Sequence, residues 1–368
     1  MSHLSSISEH LAQQCVVPTR AVNPVCKVTS IVSIRLSRPD LMQAVQFFAD
    51  FGLVCIHNDG QLALLRGTGD QTASVVIERG PARYLGLSLS VAQMEDLDAL
   101  AAAHPVAVVN NHPQRGGQMV VLRDPDNLMV EVMYGYQVLP KLMHTPPSTA
   151  NTSQHITRVN QTVRLYERLA PRVFKLGHTV MGVTHLANSV TWYQQQFGLI
   201  VSDFQMMEND PVPVVAFLRC DRGDQPTDHH TIAIGSAVEV GHLHTAFELP
   251  DLDAVVGAGE LLKQRRYQHT WGIGRHLLGS QIFDYWRDPH GDMFEHYADG
   301  DVFDQTVPTG YHVFGGEALH QWGPAVTADM AGKIPSFHLL TTVISRLRDR
   351  QHDDLSPRRL LNLIRSAG

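Results

Sequence analysis

The chain has 368 residues, of which 43% are hydrophobic and 18% are charged, and its formal net charge is −7. This composition is typical of a globular protein with a sizeable core, and the length favours two domains. The acidic balance, with no block of like charge, excludes nucleic acid and membrane surfaces as expected partners. No apolar run reaches the roughly 18 residues that a membrane span needs.

The cysteines and the N-terminus bear on the cellular compartment. Four cysteines are scattered along the chain without a CxxC pair: Cys15, Cys26, Cys55 and Cys220. This pattern fits a reducing compartment better than a disulfide framework or a zinc–thiolate site. The first residues lack the apolar core of a signal peptide, so a cytoplasmic location is expected. The twenty-one histidines direct attention to metal binding and acid–base chemistry.

Hydrophobic periodicity predicts a regular succession of strands and helices. In the first half the elements are strand Val28–Leu36, helix Pro39–Leu53, short strands in LALLRG and ASVVIERG, strand Tyr84–Val91, helix Ala92–His104, and strands in GQMVVLRD and LMVEVMYG. In the second half they are strand His178–Leu186, helix Ser189–Leu199, strands in VVAFLRC and HTIAIG, strand His242–Leu249, a helix in DLDAVVGAGELLKQR, and a hairpin in FDYWRDPHGDMFEH.

One structural unit recurs along this succession. QFFADFGL aligns with TWYQQQFGL, and DPDNLMVEV aligns with DPHGDMFEH, which places Glu131 over Glu295. The sequence therefore predicts four copies of a strand–helix–strands unit, two in each domain.

The linkers and ends complete the predicted organisation. The segment His144–Gln154 is rich in Pro, Ser, Thr and Asn, as linkers are, and a helix to about Leu169 is predicted after it. The predicted parts are an N-terminal arm at 1–27, an N-terminal domain at 28–138, a linker and helix at 139–172, a C-terminal domain at 173–302, and a C-terminal tail with a basic helix at 303–368.

The last hairpin carries a carboxylate on an apolar strand. Folding it about the turn Asp288–Gly291 brings Tyr285 opposite Glu295. A buried carboxylate is costly unless it is paired or bound to a cation. Two histidines on neighbouring predicted strands would complete a site of two histidines and one carboxylate, which is typical of non-haem Fe(II) oxygen chemistry.

Alternation along a strand also makes a prediction about the neighbouring histidine. Side chains at i and i+2 share a face, so His242, His244 and Ala246 are expected to point the same way. His242 is nevertheless interpreted as an ordinary core or surface residue, as are His185, His290 and His296.

The chain resembles the type I extradiol ring-cleaving dioxygenases of the vicinal oxygen chelate superfamily, from about Val28 to Gly323. The stretches that carry the resemblance are LGH at 176–178, Tyr193 fifteen residues on, HHT at 229–231, LHTAF at 243–247, GRH at 274–276, Tyr285, Glu295 and QWGP at 321–324. Leu243 departs from the pattern, because many relatives carry a second histidine there.

The resemblance implies an α+β fold in which four βαβββ modules pair into two domains, each a curved mixed sheet forming an open barrel. It implies Fe(II) as the metal, with Mn(II) as an alternative, and His178, His244 and Glu295 as its ligands. It further implies a catecholic substrate, O₂ as co-substrate, and a homo-oligomer.

The resemblance also implies the catalytic residues. His230 would transfer protons and hydrogen-bond the bound oxygen, since an imidazole titrates near neutral pH. Tyr285 and His276 would orient the substrate hydroxyls and stabilise developing charge.

The N-terminal half serves as an internal control. In the repeat alignment Ser33 stands where His178 does, and Gly86 stands where His244 does. Only the carboxylate, Glu131, persists. One carboxylate without imidazoles would hold a divalent ion poorly, so no metal is expected in this domain.

Two other functions fit parts of the pattern. Another enzyme of the superfamily, such as a glyoxalase or a keto-acid dioxygenase, would leave His276 and Tyr285 without a role. A metal-free protein that binds small aromatic molecules would leave the complete triad unexplained. The sequence does not identify the ring substituents of the substrate.

Overall fold

The computed structural model describes residues 2–142, 151–160, 172–238, 240–330, 343, 345–347, 354 and 356–366. Two large mixed sheets carry most of the strands. The N-terminal sheet has eight strands and the C-terminal sheet has ten. A small two-stranded sheet stands apart from both.

The N-terminal sheet contains the first two modules. Its elements are β1 Val28–Arg38, α2 Leu41–Asp50, β2 Val54–Asn58, β3 Leu62–Arg66, β4 Val75–Arg79, β5 Arg83–Val91, α3 Met94–Ala103, β6 Val109–Asn110, β7 Gln118–Arg123 and β8 Met129–Tyr134. Before them comes helix α1, Ser2–Gln14, a helix that the sequence did not predict within the arm.

The C-terminal sheet contains the third and fourth modules. These comprise β9 Lys175–Val183, α4 Leu186–Phe197, β10 Ile200–Met206, β11 Val215–Arg219, β12 Thr227–Asp228, β13 Ile232–Ser236, β14 Gly241–Glu248, α5 Leu252–Gln264, β15 Gln268–His276, β16 Ile282–Arg287 and β17 Met293–Ala298. The tail then contributes β18 Val302–Phe303, β19 Gly310–Val313, a 3₁₀ turn at Gly316–Ala318, β20 His320–Trp322 and helix α6, Pro357–Ser366.

The strand order confirms the predicted α+β fold of paired βαβββ modules. In each sheet the first strands of two modules lie side by side at the centre, β1 with β5 and β9 with β14, and both pairs are antiparallel. The strand order is β2-β3-β4-β1-β5-β8-β7-β6 in the N-terminal sheet and β19-β10-β11-β13-β9-β14-β17-β16-β15-β20 in the C-terminal sheet, and β12 pairs with β18. The remaining strands of the modules thus extend outward in matching order on either side of the central pair. The predicted basic helix at the C-terminus is present as α6.

Local signals in the sequence explain where the helices begin and end. Asp40 and Asp251 cap α2 and α5, each accepting a hydrogen bond from a main-chain N–H of the first turn. Gly198 ends α4 in the left-handed conformation, at φ 65°, which glycine adopts without a Cβ penalty.

The aromatic core joins the two halves of the molecule. Phe47 and Phe48 of α2 pack against Phe294 of β17, with ring centroids 5.8 and 5.0 Å away. His296, two residues along β17 and on the same face as Phe294, donates from Nε2 to the carbonyl of Phe51 at 2.7 Å. The N-terminal half thus packs directly on the strand that carries Glu295.

Two sequence predictions concern the segment between the sheets and the membrane. Residues 151–160 contain no helix, and the rest of the helix predicted to about Leu169 lies outside the described residues. Within the described chain, no helix combines the length and apolar character needed to cross a membrane.

Candidate metal centre

Three adjacent strands bring one ligand group each to the same point. His178 lies on β9, His244 on β14 between the other two strands, and Glu295 on β17. The Nε2 atoms of His178 and His244 each lie 3.3 Å from Oε2 of Glu295. Among the described residues this is the one group of three possible metal ligands whose ligand atoms all lie within 4.8 Å of one another.

The carboxylate at the centre of this group lacks a hydrogen-bond donor among the described residues. Glu295 is fully buried, and neither of its carboxylate oxygens has a hydrogen-bond partner there. Burial raises the pKa of Glu295, but the two imidazoles lower it by a larger amount, so that the group is a carboxylate at neutral pH. A buried, unsatisfied carboxylate costs several kcal/mol. Two imidazole nitrogens and this oxygen therefore fit a divalent cation.

A phenol and an imidazole lie next to the triad. Tyr285 pairs directly with Glu295 across the β16–β17 hairpin, as the sequence predicted. Its hydroxyl lies 2.9 Å from Nε2 of His276, and Nδ1 of His276 lies 2.8 Å from the carbonyl of Leu319. Because Nδ1 must donate to that carbonyl, Nε2 is bare and accepts from the Tyr285 hydroxyl.

Burial keeps both of these groups uncharged. It lowers the pKa of His276 to about 4 and raises that of Tyr285 well above its ordinary value. Both therefore present neutral hydrogen-bonding groups at neutral pH.

A second imidazole borders the triad on another side. The ring of His230 lies 4.0 Å from that of His178, centroid to centroid, and is almost fully buried. Burial lowers the pKa of His230 well below the usual range, and the neighbouring His178 lowers it further. Its Nδ1 lies 3.0 Å from Nδ1 of His229. The structure therefore brings all six predicted site residues into one cluster.

The prediction that His242 shares a face with His244 is wrong. A β-bulge interrupts the β14–β9 pairing between these two residues, so one extra residue reverses the alternation. His242 instead approaches Thr245 at 2.8 Å and Asp292 at 3.2 Å and stacks on Tyr84.

The other histidines that the sequence analysis set aside lie away from the triad. His185 precedes helix α4, His290 lies in the hairpin turn, and His296 reaches the N-terminal half. Sequence reasoning missed Leu319, which acts through its main-chain carbonyl and so leaves no signal in the residue type.

In the N-terminal half, arginines surround Glu131, which is the counterpart of Glu295. Ser88 lies beside Glu131 on β8 and opposite Ser33 on β1, in the same register that Ala246 has beside Glu295 and opposite His178. Arg35 and Arg115 lie 2.5 and 3.1 Å from the carboxylate of Glu131. The hydroxyl of Ser88 donates to the same carboxylate at 2.6 Å. Guanidinium groups thus satisfy Glu131, whereas Glu295 has no such partner.

Comparison with known protein families places the domain that carries the triad. Residues 175–296 match the model of the Glyoxalase/Bleomycin resistance protein/Dioxygenase superfamily. This stretch contains both histidines and the glutamate. Residues 175–296 are a domain of this superfamily.

Comparisons with individual proteins extend the similarity over most of the chain. The chain is 28% identical over 312 residues to metapyrocatechase 2 from Cupriavidus necator, a match that covers 83% of this chain and 92% of that protein. A Mn(II)-bound glyoxalase from Novosphingobium aromaticivorans superposes with a TM-score of 0.68 at 23% identity, covering 84% of this chain and 95% of the other. An extradiol ring-cleaving dioxygenase from B. fuscum gives 0.69 at 17% identity, covering 86% and 84%. These two structures establish the shared fold.

Proposed function

We propose that the protein is an extradiol dioxygenase, which cleaves the ring of a catechol with O₂ at a mononuclear centre held by His178, His244 and Glu295. The observation that carries the proposal is the buried, unpartnered Glu295 facing two imidazoles, with Tyr285 and His276 on the open side. The similarity to metapyrocatechase 2 supports the same reaction class. The product would be a muconic semialdehyde-type acid containing both oxygen atoms.

The ligand set suits iron chemistry at a catechol. Fe(II) held by two neutral imidazoles and one carboxylate supplies Lewis acidity toward both catechol oxygens and redox chemistry toward O₂. Three protein ligands leave room for both substrates, and the net charge of +1 favours a catecholate anion. Mn(II) accepts the same ligands, and iron is the metal proposed here.

The surrounding residues would handle the protons and orient the ring. His230 would accept a proton from the catechol at Nε2 and return it as the O–O bond breaks. Tyr285 and His276, which hydrogen-bond each other in the structure, would hydrogen-bond the substrate hydroxyl or the developing ketone oxygen. Their neutral state at neutral pH keeps the phenol available as a donor and His276 as an acceptor.

A glyoxalase is the second candidate, because one of the similar structures is a Mn(II)-bound glyoxalase. Glyoxalase-type sites usually carry a second carboxylate, and the one ligand group found among the described residues contains only Glu295. In such an enzyme the Tyr285–His276 pair would have no role. A metal-free binding protein is the weaker alternative, because it would leave the charge of Glu295 uncompensated.

Oxygen consumption separates these functions. The protein would be purified anaerobically, its iron measured, and O₂ uptake followed with simple, alkyl, biphenyl and carboxylated catechols, with a hemithioacetal as the glyoxalase substrate. The proposal predicts bound iron, O₂ uptake with at least one catechol and a yellow product near neutral pH. Hemithioacetal turnover without O₂ uptake would instead identify a glyoxalase, and absence of bound metal would identify a binding protein.

Three further features belong to the same proposal. We place the catalytic domain at 173–302 and the structural domain at 28–138, joined by the linker and helix at 139–172 and flanked by the arm at 1–27 and the tail at 303–368. We also propose a cytoplasmic location, consistent with the unpaired cysteines, and a homo-oligomeric state.

A further inference from the structure

A chain of hydrogen bonds leads from His230 to the protein surface. His230 and His229 approach each other through their Nδ1 atoms at 3.0 Å. Nε2 of His229 lies 2.6 Å from Oδ2 of Asp203, and Oδ1 of Asp203 lies 2.8 Å from Nε2 of His312. His229 is 1% exposed, whereas the side chain of His312 is 38% exposed. The chain therefore spans the distance from the buried centre to solvent.

The hydrogen-bond partners fix the direction of each bond. Asp203 accepts hydrogen bonds from both neighbouring imidazoles. Burial raises the pKa of Asp203, but these two bonds lower it by a larger amount, so the group is a carboxylate. Because His229 donates from Nε2, its neutral ring has a bare Nδ1. His230 must then donate from its own Nδ1. This leaves Nε2 of His230 bare, as a base requires.

The surrounding main chain holds the relay in place. The N–H of His229 donates to the carbonyl of Asp301 at 2.9 Å, and its carbonyl accepts from the hydroxyl of Ser202 at 2.6 Å. Gly310 lies beside Asp203 in the β10–β19 pairing. A Cβ at Gly310 would overlap Oδ1 of Asp203, so any larger residue would displace the carboxylate from His312.

We propose that His229, Asp203 and His312 form a proton relay between His230 and solvent. The inference rests on the proposed function, in which His230 takes a proton from the substrate. His229 and Asp203 also act as positioning residues, because they hold His230 with Nε2 free. His312, contributed by the tail strand β19, is the point of exchange with water.

The transfers along the relay balance at each step. After His230 gains a proton at Nε2, its Nδ1–H bond breaks and an N–H bond forms at Nδ1 of His229. His229 then loses its Nε2 proton to Oδ2 of Asp203. The resting His312 donates its Nε2 proton to Asp203. Exchange with water moves this proton to Nδ1, after which Nε2 takes the proton from the Asp203 carboxyl and Nδ1 releases its own to water, which restores the resting tautomer. The reverse sequence carries a proton inward.

The relay has a chemical purpose in the proposed reaction. A neutral catechol enters, and the ring-opened acid leaves ionised at neutral pH, so each turnover releases one proton. The triad and His230 are buried, and substrate would fill the open side during the reaction. A second route to water would allow proton exchange while the site is closed.

The test compares His312→Gln, which keeps an amide donor toward Asp203 but cannot carry a proton, with the wild type. We expect kcat for catechol cleavage to fall about tenfold, less than the 10²- to 10⁴-fold typical of a direct acid or base. Metal content and KM should stay the same, the solvent deuterium isotope effect on kcat should rise, and free imidazole in the buffer should restore the rate. Asp203→Asn should lower kcat more and resist this rescue.

His57→Gln is the matched control, because His57 is also a partly exposed imidazole paired with an aspartate, Asp59, at 3.4 Å. It should leave kcat and the isotope effect unchanged. A His312→Gln variant with wild-type kcat and isotope effect would overturn the relay, as would a loss of activity that follows lost metal and ignores imidazole. If the wild type cleaves no catechol, the proposed function itself fails and the relay fails with it.

Discussion

Glu295 and Glu131 occupy the same position in two copies of one module, and their surroundings give them different roles. Glu131 is satisfied by Arg35, Arg115 and a serine hydroxyl. Glu295 faces two imidazole nitrogens and has no hydrogen-bond donor in the part of the chain that the structure describes. A buried anion needs compensation in either case. In the first it comes from guanidinium groups, and in the second we assign it to a metal ion.

Removing either imidazole of the triad should abolish tight metal binding. His178→Ala and His244→Ala each delete one of three ligands, and the remaining pair holds a divalent ion poorly. Metal content per chain after anaerobic purification and dialysis measures the effect. A variant that keeps its full complement of metal would show that the ligand assignment is wrong.

Glu131→Gln should leave the metal content unchanged and lower the stability. The substitution leaves the buried Arg115 without its anion, whereas the partly buried Arg35 keeps Glu78 as a partner. Breaking a buried ion pair typically costs about 3–5 kcal/mol. Chemical denaturation gives the free energy of unfolding, and metal analysis of the same sample gives the control. Loss of one metal ion per chain would contradict a purely structural role for this residue.

His230→Phe should retain metal and catechol binding and lose catalytic rate. Phenylalanine fills the buried space beside His178 and carries no proton, so kcat should fall by about 10²- to 10⁴-fold. Stopped-flow binding of the catechol under anaerobic conditions separates binding from turnover. Unchanged turnover would exclude the acid–base role.

The hairpin β16–β17 is the element on which the site depends most, and its turn is fixed from the other half of the molecule. Arg38 of β1, fully buried, donates to Asp288 at 2.8 Å and to Asp292 at 2.5 Å. The corresponding turn of the N-terminal half makes the reciprocal contact, because Asp124 accepts from the hydroxyl of Tyr193. Each Asp-Pro turn thus docks on the opposite half. We infer that Arg38 holds the strand bearing Glu295 in position.

The stabilisation from Asp292 should depend on pH in the acid range. Burial raises the pKa of Asp292, but hydrogen bonds from His242 and Arg38 lower it by a larger amount. The net pKa is about 2 in the folded protein, against about 3.9 in the unfolded chain. Because the folded-state pKa is the lower one, the contribution is complete above the unfolded value and is lost as the pH falls through about 2.

Denaturation of the wild type and Asp292→Asn between pH 2 and 6 tests this. The difference in the free energy of unfolding should be largest near pH 5–6 and shrink toward about pH 2. A difference that is independent of pH, or that grows on acidification, would contradict the assigned ion pair.

At the scale of the whole molecule, the sequence predicted what repetition and local patterning encode. The module repeat placed Ser33 and Gly86 at the positions equivalent to His178 and His244. The strand registers of the two sheets agree with this alignment. The pairing of Tyr285 with Glu295 followed from the turn alone. The bulge at His242 could not be predicted, because one extra residue in a strand leaves no trace in hydrophobic alternation.

The contributions of the chain ends also escaped prediction. Strands β19 and β20 are short edge strands whose pairing is set by the sheet they join. They bring His312 and the segment around Leu319 to the site. The helix at Ser2–Gln14 packs near β19. Tertiary contacts rather than local signals determine these positions.

Labelling with ¹⁸O₂ tests the central claim most directly. Iron-loaded protein would be mixed with catechol under ¹⁸O₂, quenched at once, and the product analysed by mass spectrometry, with His244→Ala as the control. The account predicts a ring-opened product that carries both labelled atoms in the wild type and none in the variant. Product with a single labelled atom, or labelled product from the variant at the wild-type rate, would contradict it.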